Sequence, residues 1–310
     1  LRVRPYVPAD ADAWDALVLR SRNGNLLHRR GYMDYHADRF VDASLVIEND
    51  NEIVAVFPAN IEGSQVSSHG GLTYAGLVSS RVLRASATLD AMEKLGEHYR
   101  ARGVSRLVYK ATPHVFHAYP AEEDLYALHR VGARLSRRDL SSAIALQDGF
   151  RFTDERRRAV AKARKSGLSL GSHGDLASFH ALLVEVLARH GVGPTHSVAE
   201  LCLLQSRFPE SIVLYEVRDG ESLLAATLVY DLGPIVHTQY LVASEQGRRR
   251  HALSFLLAEL IETRYADKRY FSFGVSTEQG GRRLNEGLVE QKERFGARAV
   301  VHDFYEWDMA

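Results

Sequence analysis

The sequence predicts a mixed α/β (α+β) protein built as two tandem copies of one plan. Three observations lead there. Both halves run in the same order: helix, helix, hairpin, strand, helix, strand, loop, helix, strand. A five-residue motif recurs, Arg130-Val131-Gly132-Ala133-Arg134 against Arg294-Phe295-Gly296-Ala297-Arg298, and Asp139 and Asp303 sit at the same spacing of 164 residues. The chain has 310 residues, more than one hydrophobic core of roughly 100–200 residues requires. The halves are expected at 1–147 and 148–310, related by internal duplication, each with a mixed sheet.

Each element has a local reason. Asp10 is placed to cap a helix in which Trp14, Leu17 and Val18 follow i, i+3, i+4 spacing. His28 to Phe40 reads as a second, aromatic-rich helix. Ser44–Ile47 and Ile53–Phe57 flank Asn49-Asp50-Asn51 and read as a hairpin. Glycines 70, 71 and 76 allow the backbone to approach a neighbour closely. Leu89, Met92, Leu95 and Tyr99 line one helix face, and Arg106–Lys110 and Ser141–Leu146 are strands. In the second half, Arg156 to Lys165 is a basic helix and Asp175 caps a helix with an apolar stripe. Ser197 with Glu200 makes a capping box. Ile212–Val217 and Leu223–Tyr230 form a hairpin about Asp219-Gly220, 169 residues after Asp50. Val236–Leu241, Lys268–Phe273 and Val300–Trp307 are strands, and Leu253 to Ile261 is a helix.

Bulk properties exclude several classes. Lysine plus arginine equals aspartate plus glutamate, 39 against 39, so a globally basic nucleic-acid binder is not indicated. The single cysteine, Cys202, excludes an internal disulfide and a cysteine metal site, and among leucines it reads as a small core residue. His114 and His117 have metal-like spacing without a third ligand, so no metal is expected. No apolar run approaches the roughly 20 residues that span a bilayer. The N-terminal residues carry no signal-peptide core, and a cytoplasmic protein is expected.

The stretch Phe271–Arg298 concentrates groups that bind or react. Its first-half counterpart, His114–Leu128, lacks the run Glu278–Glu286, and what differs between two copies of one plan is the better candidate for function, which points to Ser276–Glu286. Glu278, in a polar loop after a strand, is a candidate general base, and His237 interrupts a strand as a second candidate. Arg282, Arg283 and Asn285, with Ser276 and Thr277, form a candidate substrate site beside Gly280-Gly281, a potential anion nest. His69, Thr73 and Tyr74 hold the corresponding place in the first half. Gly247 with Arg248, Arg249 and Arg250 is a candidate phosphate site, because three cations at a helix start oppose its dipole unless an anion is near.

The order of elements resembles the GNAT acyltransferase fold. Two such domains in tandem are similar to Fem-type transferases and to acetyltransferases of sugar and capsule clusters. The likeness rests on the basic segment Arg156–Lys165 with Ser166-Gly167-Leu168, on the glycine-rich His69–Gly76, and on Phe271-Ser272-Phe273-Gly274 followed by Gln291-Lys292-Glu293-Arg294-Phe295-Gly296. The last is similar to the family's "DFGG…FKxxFG" close. The resemblance implies N-acyl transfer from acetyl-CoA or another acyl-CoA to an amino group of a small polar acceptor, such as a nucleotide-linked amino sugar. Lys292 would then stabilise a carbonyl oxygen or a phosphate. The departure is at Glu245–Ala252, which keeps one glycine but not the R/Q-x-x-G-x-G/A turn that grips pyrophosphate in GNAT enzymes. Fem-type proteins, which use aminoacyl-tRNA, also lack that turn, so tRNA is the alternative donor. A non-catalytic module of the same fold is the third alternative. It predicts a groove near Gly247 filled by side chains.

Overall fold

In the computed structural model, which describes residues 1–172, 174–189 and 191–309, the chain divides into two compact units with interleaved segments. The first unit takes Leu1–Leu140, Thr277–Arg283 and the stretch from Val300 onward. The second takes Ser141–Ser276 and Leu284–Ala299. The contacts thus change over at 140/141 rather than at the expected 147/148, and two late segments belong to the first unit. The cause is strand length. The strand expected at Ser141–Leu146 begins at Arg134 and runs 12 residues to Ala145, so its two ends fall in different units.

In the first unit, β1 (Arg2–Pro5), β2 (Leu45–Asn49), β3 (Glu52–Phe57) and the short Val78–Ser79 strand form an antiparallel sheet in that order. Trp14, Leu17 and Val18 of α1 (Ala11–Arg20) are buried as their spacing predicts. Asp10 precedes that helix, but its carboxylate makes no cap bond to it. It accepts instead from Arg4, Nη1 at 2.7 Å and Nη2 at 2.9 Å. The expected second helix is reduced to one turn, Arg30–Met33, between 3-10 turns at Leu26–His28 and Asp34–His36. Gly31 and a run of aromatic residues disfavour anything longer.

A hairpin that the sequence pattern did not reveal, β4 (Asn60–Glu62) and β5 (Gln65–Ser67), follows next. The strand β5 pairs in parallel with β6 (Arg106–Lys110), and β6 pairs antiparallel with the C-terminal strand Arg298–Asp308, Leu107 opposite Trp307. Helix α2 (Ala85–Arg100) buries Met92, Leu95 and Tyr99. Its Gly96 admits the Trp307 ring, which an added Cβ would meet at 2.3 Å. The neighbours that the glycine-rich loop approaches are this unit's own side chains. An added Cβ at Gly71 would meet His36 Nε2 at 2.2 Å, and one at Gly76 would meet the Tyr109 hydroxyl at 2.7 Å.

In the second unit a sheet runs in the order β7 (Ser169–Ser172), β8 (Ile212–Asp219), β9 (Ser222–Asp231), β10 (Ile235–Ala243), β11 (Tyr270–Val275) and then Ser141–Ala145. All neighbours are antiparallel except β10 and β11, whose parallel register covers three pairs only: Ile235–Tyr270, Val236–Phe271 and His237–Ser272. Beyond His237 the two strands part. The basic helix α3 (Asp154–Lys165) starts from a Thr153 cap. The expected caps at Asp175 and Ser197 are present on α4 (Leu176–Ala188) and α5 (Val198–Arg207). Cys202 is exposed on α5, because Leu201 and Leu204 take the buried positions. After β10 come α6 (Glu245–Arg249) and α7 (Ala252–Glu259), broken at His251, whose φ is +56°. Helix α8 (Glu286–Glu293) ends in the repeated motif, where Gly296 has φ +87° and its counterpart Gly132 has +77°. Both are left-handed turns that glycine adopts without strain. Among the described residues no helix is long and apolar enough to cross a membrane, and no group of three metal-ligating side chains occurs.

Candidate functional site

The parting of β10 and β11 opens a cavity of about 430 Å³ inside the second unit. Leu241 and Ala243 of β10, Phe273 of β11, Leu253 and Leu257 of α7 and Phe295 after α8 supply its apolar walls. Gly247 of α6 lies so close to β9 that an added Cβ would sit 1.8 Å from the Leu224 carbonyl oxygen. Ser244 fixes this approach: its Oγ accepts from Gly247 N at 3.1 Å and donates to Leu224 O at 3.2 Å. The glycine is therefore a packing requirement that holds the cavity wall against the sheet, and its N–H is already engaged.

Three cations border the same space. The Arg248 guanidinium donates from Nη1 to Ala243 O at 3.0 Å and is otherwise exposed. Arg156 lies with Cζ 4.4 Å from the Phe295 ring centroid and donates from Nη1 to Ser254 Oγ at 2.5 Å. Its Nε is buried without a partner, and burial together with the nearby Arg294 lowers its pKa. Lys292 is only 3% exposed. Its Nζ donates to Gly274 O at 2.9 Å, Val275 O at 3.0 Å and Ser276 Oγ at 2.6 Å, which uses all three ammonium hydrogens. Burial nonetheless lowers its pKa to about 8. Among the described residues no aspartate or glutamate lines the cavity. His251 also lines it, in a left-handed conformation that is uncommon for a residue with a side chain.

The structure brings Gly247, Arg248 and Lys292 together here, with Ser276 held by Lys292. Other expected site residues lie elsewhere. Arg249 pairs with Glu245 at 3.2 Å. Arg250 pairs with Asp219 and donates to Ser166 O at 3.3 Å. His237 stands where β10 and β11 part, its Nδ1 3.1 Å from Ser272 Oγ, outside the cavity lining. Asn285 caps α8, accepting from Leu288 N at 3.1 Å. In the first unit, Thr277 donates to Asp139 Oδ1 at 2.9 Å, Glu278 lies 3.7 Å from Arg283, and Arg282 is exposed. Gly281, expected in an anion nest, packs where an added Cβ would lie 2.0 Å from the Arg138 carbonyl oxygen. His69 and Tyr74 of that unit are buried and Thr73 is exposed. The residue that sequence reading underrated is Arg156, taken with its helix as a solvated face. Its spacing held the signal: Val160 and Ala163, at i+4 and i+7, are buried on the same face.

This architecture defines a GNAT-like acyltransferase fold extending over the whole chain. It is similar to FemX, with a TM-score of 0.71 and 12% identity over 99% of this chain and 97% of that one. It is similar to L-PGS from Bacillus licheniformis, with a TM-score of 0.64 and 12% identity over 99% and 93%. A tandem GNAT protein from the clavulanic acid biosynthesis pathway matches with a TM-score of 0.50 and 13% identity over 100% and 98%. No protein-family model matches the sequence, and neither does any curated protein.

Proposed function

We propose that this protein is an N-acyltransferase that takes an acyl group from acetyl-CoA or another acyl-CoA and passes it to an amino group of a small polar acceptor, such as a nucleotide-linked amino sugar. One observation carries the choice of donor: the cavity beside Gly247 combines apolar walls and three cations with no carboxylate. An aminoacyl group brings an ammonium, which such a lining repels. An uncharged acyl arm joined to phosphate fits it, with the arm on Phe273, Leu241 and Leu253 and the phosphate toward exposed Arg248. In the reaction the acceptor nitrogen attacks the thioester carbonyl carbon. The C–N bond forms, the C–S bond breaks, CoA leaves as the thiol, and the surplus amine proton passes to a base. His237 is the proposed base and Lys292 the proposed stabiliser of developing negative charge; Glu278, Arg282, Arg283 and Thr73 lie in the first unit and have no part at this cavity. The open cavity supports this reading over a non-catalytic module with a filled groove.

A second reading, transfer from aminoacyl-tRNA in the cytoplasm, is favoured by the cations outside the cavity. Arg158, Lys162 and Lys165 of α3 form no ion pair among the described residues, and α3 also sends Arg156 to the cavity that Arg248 borders. A thermal-shift screen with acetyl-CoA, octanoyl-CoA, CoA and charged tRNA separates the two. Acyl-CoA at about 100 times its Kd stabilises by about 2.7 kcal/mol, a clear rise in Tm. A response to charged tRNA with none to any CoA ester overturns the first reading. Acyl transfer is then followed as thiol release with amino-sugar nucleotides, and His237→Ala tests whether that base is needed, with Glu278→Gln as a control outside the cavity.

A further inference from the structure

The acyl-donor reading puts one anion, the donor's phosphate, at exposed Arg248. Two further cations line the same cavity, and neither has a counter-ion. Lys292 is 3% exposed and spends its hydrogens on two backbone carbonyls and a hydroxyl, all neutral. Arg156 gives one bond, from Nη1 to Ser254 Oγ, also neutral. Glu155, whose charge acts on Arg156, is exposed and paired with Arg294 at 3.0 Å, and Arg294 itself repels Arg156. Cations taken out of water are ordinarily paired. Two that are not, in a lining with no aspartate or glutamate among the described residues, leave the cavity positive. The missing anion has to come with the ligand.

Arg156 and Arg248 are placed for different ends of that ligand. Arg248 is exposed, which suits a phosphate whose ligand continues into solvent. Arg156 is half-buried, its guanidinium on the Phe295 ring, in a lining it shares with Leu253 and Leu257 of α7. Stacking covers the face of a guanidinium and leaves its edge. The second hydrogen of Nη1 and both of Nη2 have no partner among the described residues, and such a pair of nitrogens takes a carboxylate end-on. Gln291 of α8 lines the cavity as well, and its amide has no hydrogen-bond partner among the described residues. A methyl group at the end of an acyl chain would leave these donors unmet.

We propose that the transferred acyl group is that of a dicarboxylic acid, such as succinyl or glutaryl, thioester-linked at one end, with its free carboxylate on Arg156 and the Gln291 amide. The inference rests on the acyl-donor reading of this cavity. The pantetheine arm stays uncharged, and the added charge sits at the far end of the acyl group. Lys292, whose hydrogens are engaged, acts on that carboxylate through its charge alone.

Calorimetric titration of the full chain at neutral pH compares succinyl-CoA with butyryl-CoA, and glutaryl-CoA with valeryl-CoA. Each pair is matched in length and differs in the carboxylate. The dicarboxyl member of at least one pair binds at least about tenfold more tightly. Arg156→Gln brings that preference to within about twofold. Should that variant not fold, Gln291→Leu, at a half-buried helix position, stands in for it and lowers the preference by about threefold or more. Equal binding within both pairs, or a preference that survives in the variant, overturns the proposal and leaves the donor reading standing. So does an Arg156→Gln protein that loses free CoA and both members of a pair alike, which assigns Arg156 to the phosphate. Binding of no CoA ester at all overturns the donor reading, and the proposal with it.

Discussion

Replacing Lys292 by Met tests how a buried ammonium is tolerated at the cavity wall. Burial moves the lysine from 10.5 to about 8. At 1.36 kcal/mol per pH unit that is a cost of about 3 kcal/mol for carrying the charge at pH 7. Against it stand three hydrogen bonds, to Gly274 O, Val275 O and Ser276 Oγ, each about 1.5–3 kcal/mol for a charged donor. The bonds win, so Lys292→Met is less stable at pH 7, by about 1–5 kcal/mol. The pH dependence isolates the lysine. A base whose folded pKa is depressed binds fewer protons folded than unfolded between about 8 and 10.5, so stability rises with pH across that window and is lost as pH falls through 8. Urea unfolding of both proteins at pH 7, 8, 9 and 10 is the assay. The wild type gains about 2 kcal/mol on the variant between pH 8 and 10. A flat difference would mean that the three acceptors hold the proton in place, and the argument from burial would be refuted.

Gly247→Ala places a Cβ against the Leu224 carbonyl and lowers stability by about 1–3 kcal/mol or more in urea unfolding, with weakened acyl-CoA binding as α6 is displaced. Asn285→Ala removes the α8 cap at a cost of about 1 kcal/mol; if Asn285 also holds the acceptor, KM for the acceptor rises as well. Asp124, buried and accepting from the Tyr109 hydroxyl at 2.5 Å, is raised by burial from 3.8 to about 6. A carboxyl with a raised folded pKa stabilises most below its unfolded value, and that stability is lost as pH climbs from about 4 through 6, here by about 3 kcal/mol. Asp124→Asn removes this slope, as urea midpoints across pH 4–7 will register.

Local rules were legible wherever a short stretch decides the outcome. The Ser197–Glu200 box, the Asp175 cap, the stripe of Trp14, Leu17 and Val18, and the two Gly-Ala-Arg turns follow from neighbours in sequence. Legibility failed where distant residues compete. Asp10 has the type and position of a cap, but the Arg4 guanidinium takes its carboxylate. Asn285 looks like a ligand contact and serves as a helix cap. The cavity exists because two strands pair for three residues and then separate, a tertiary event that no periodicity encodes. Of the three expected phosphate-binding arginines, Arg249 and Arg250 are drawn into ion pairs and only Arg248 borders that cavity.

The interleaving of the two units also sets an order of events during synthesis. The first unit contains residues from position 1 and a strand from Val300 onward, with Trp307 seated on Gly96 and opposite Leu107 in its core. Translation at roughly 5–20 residues per second leaves the first 140 residues waiting on the order of 10–30 s for that strand. The first unit is thus completed only after every residue of the second unit has been made. Until then the edge of β6 that pairs with this strand, Leu107 opposite Trp307, is without its partner.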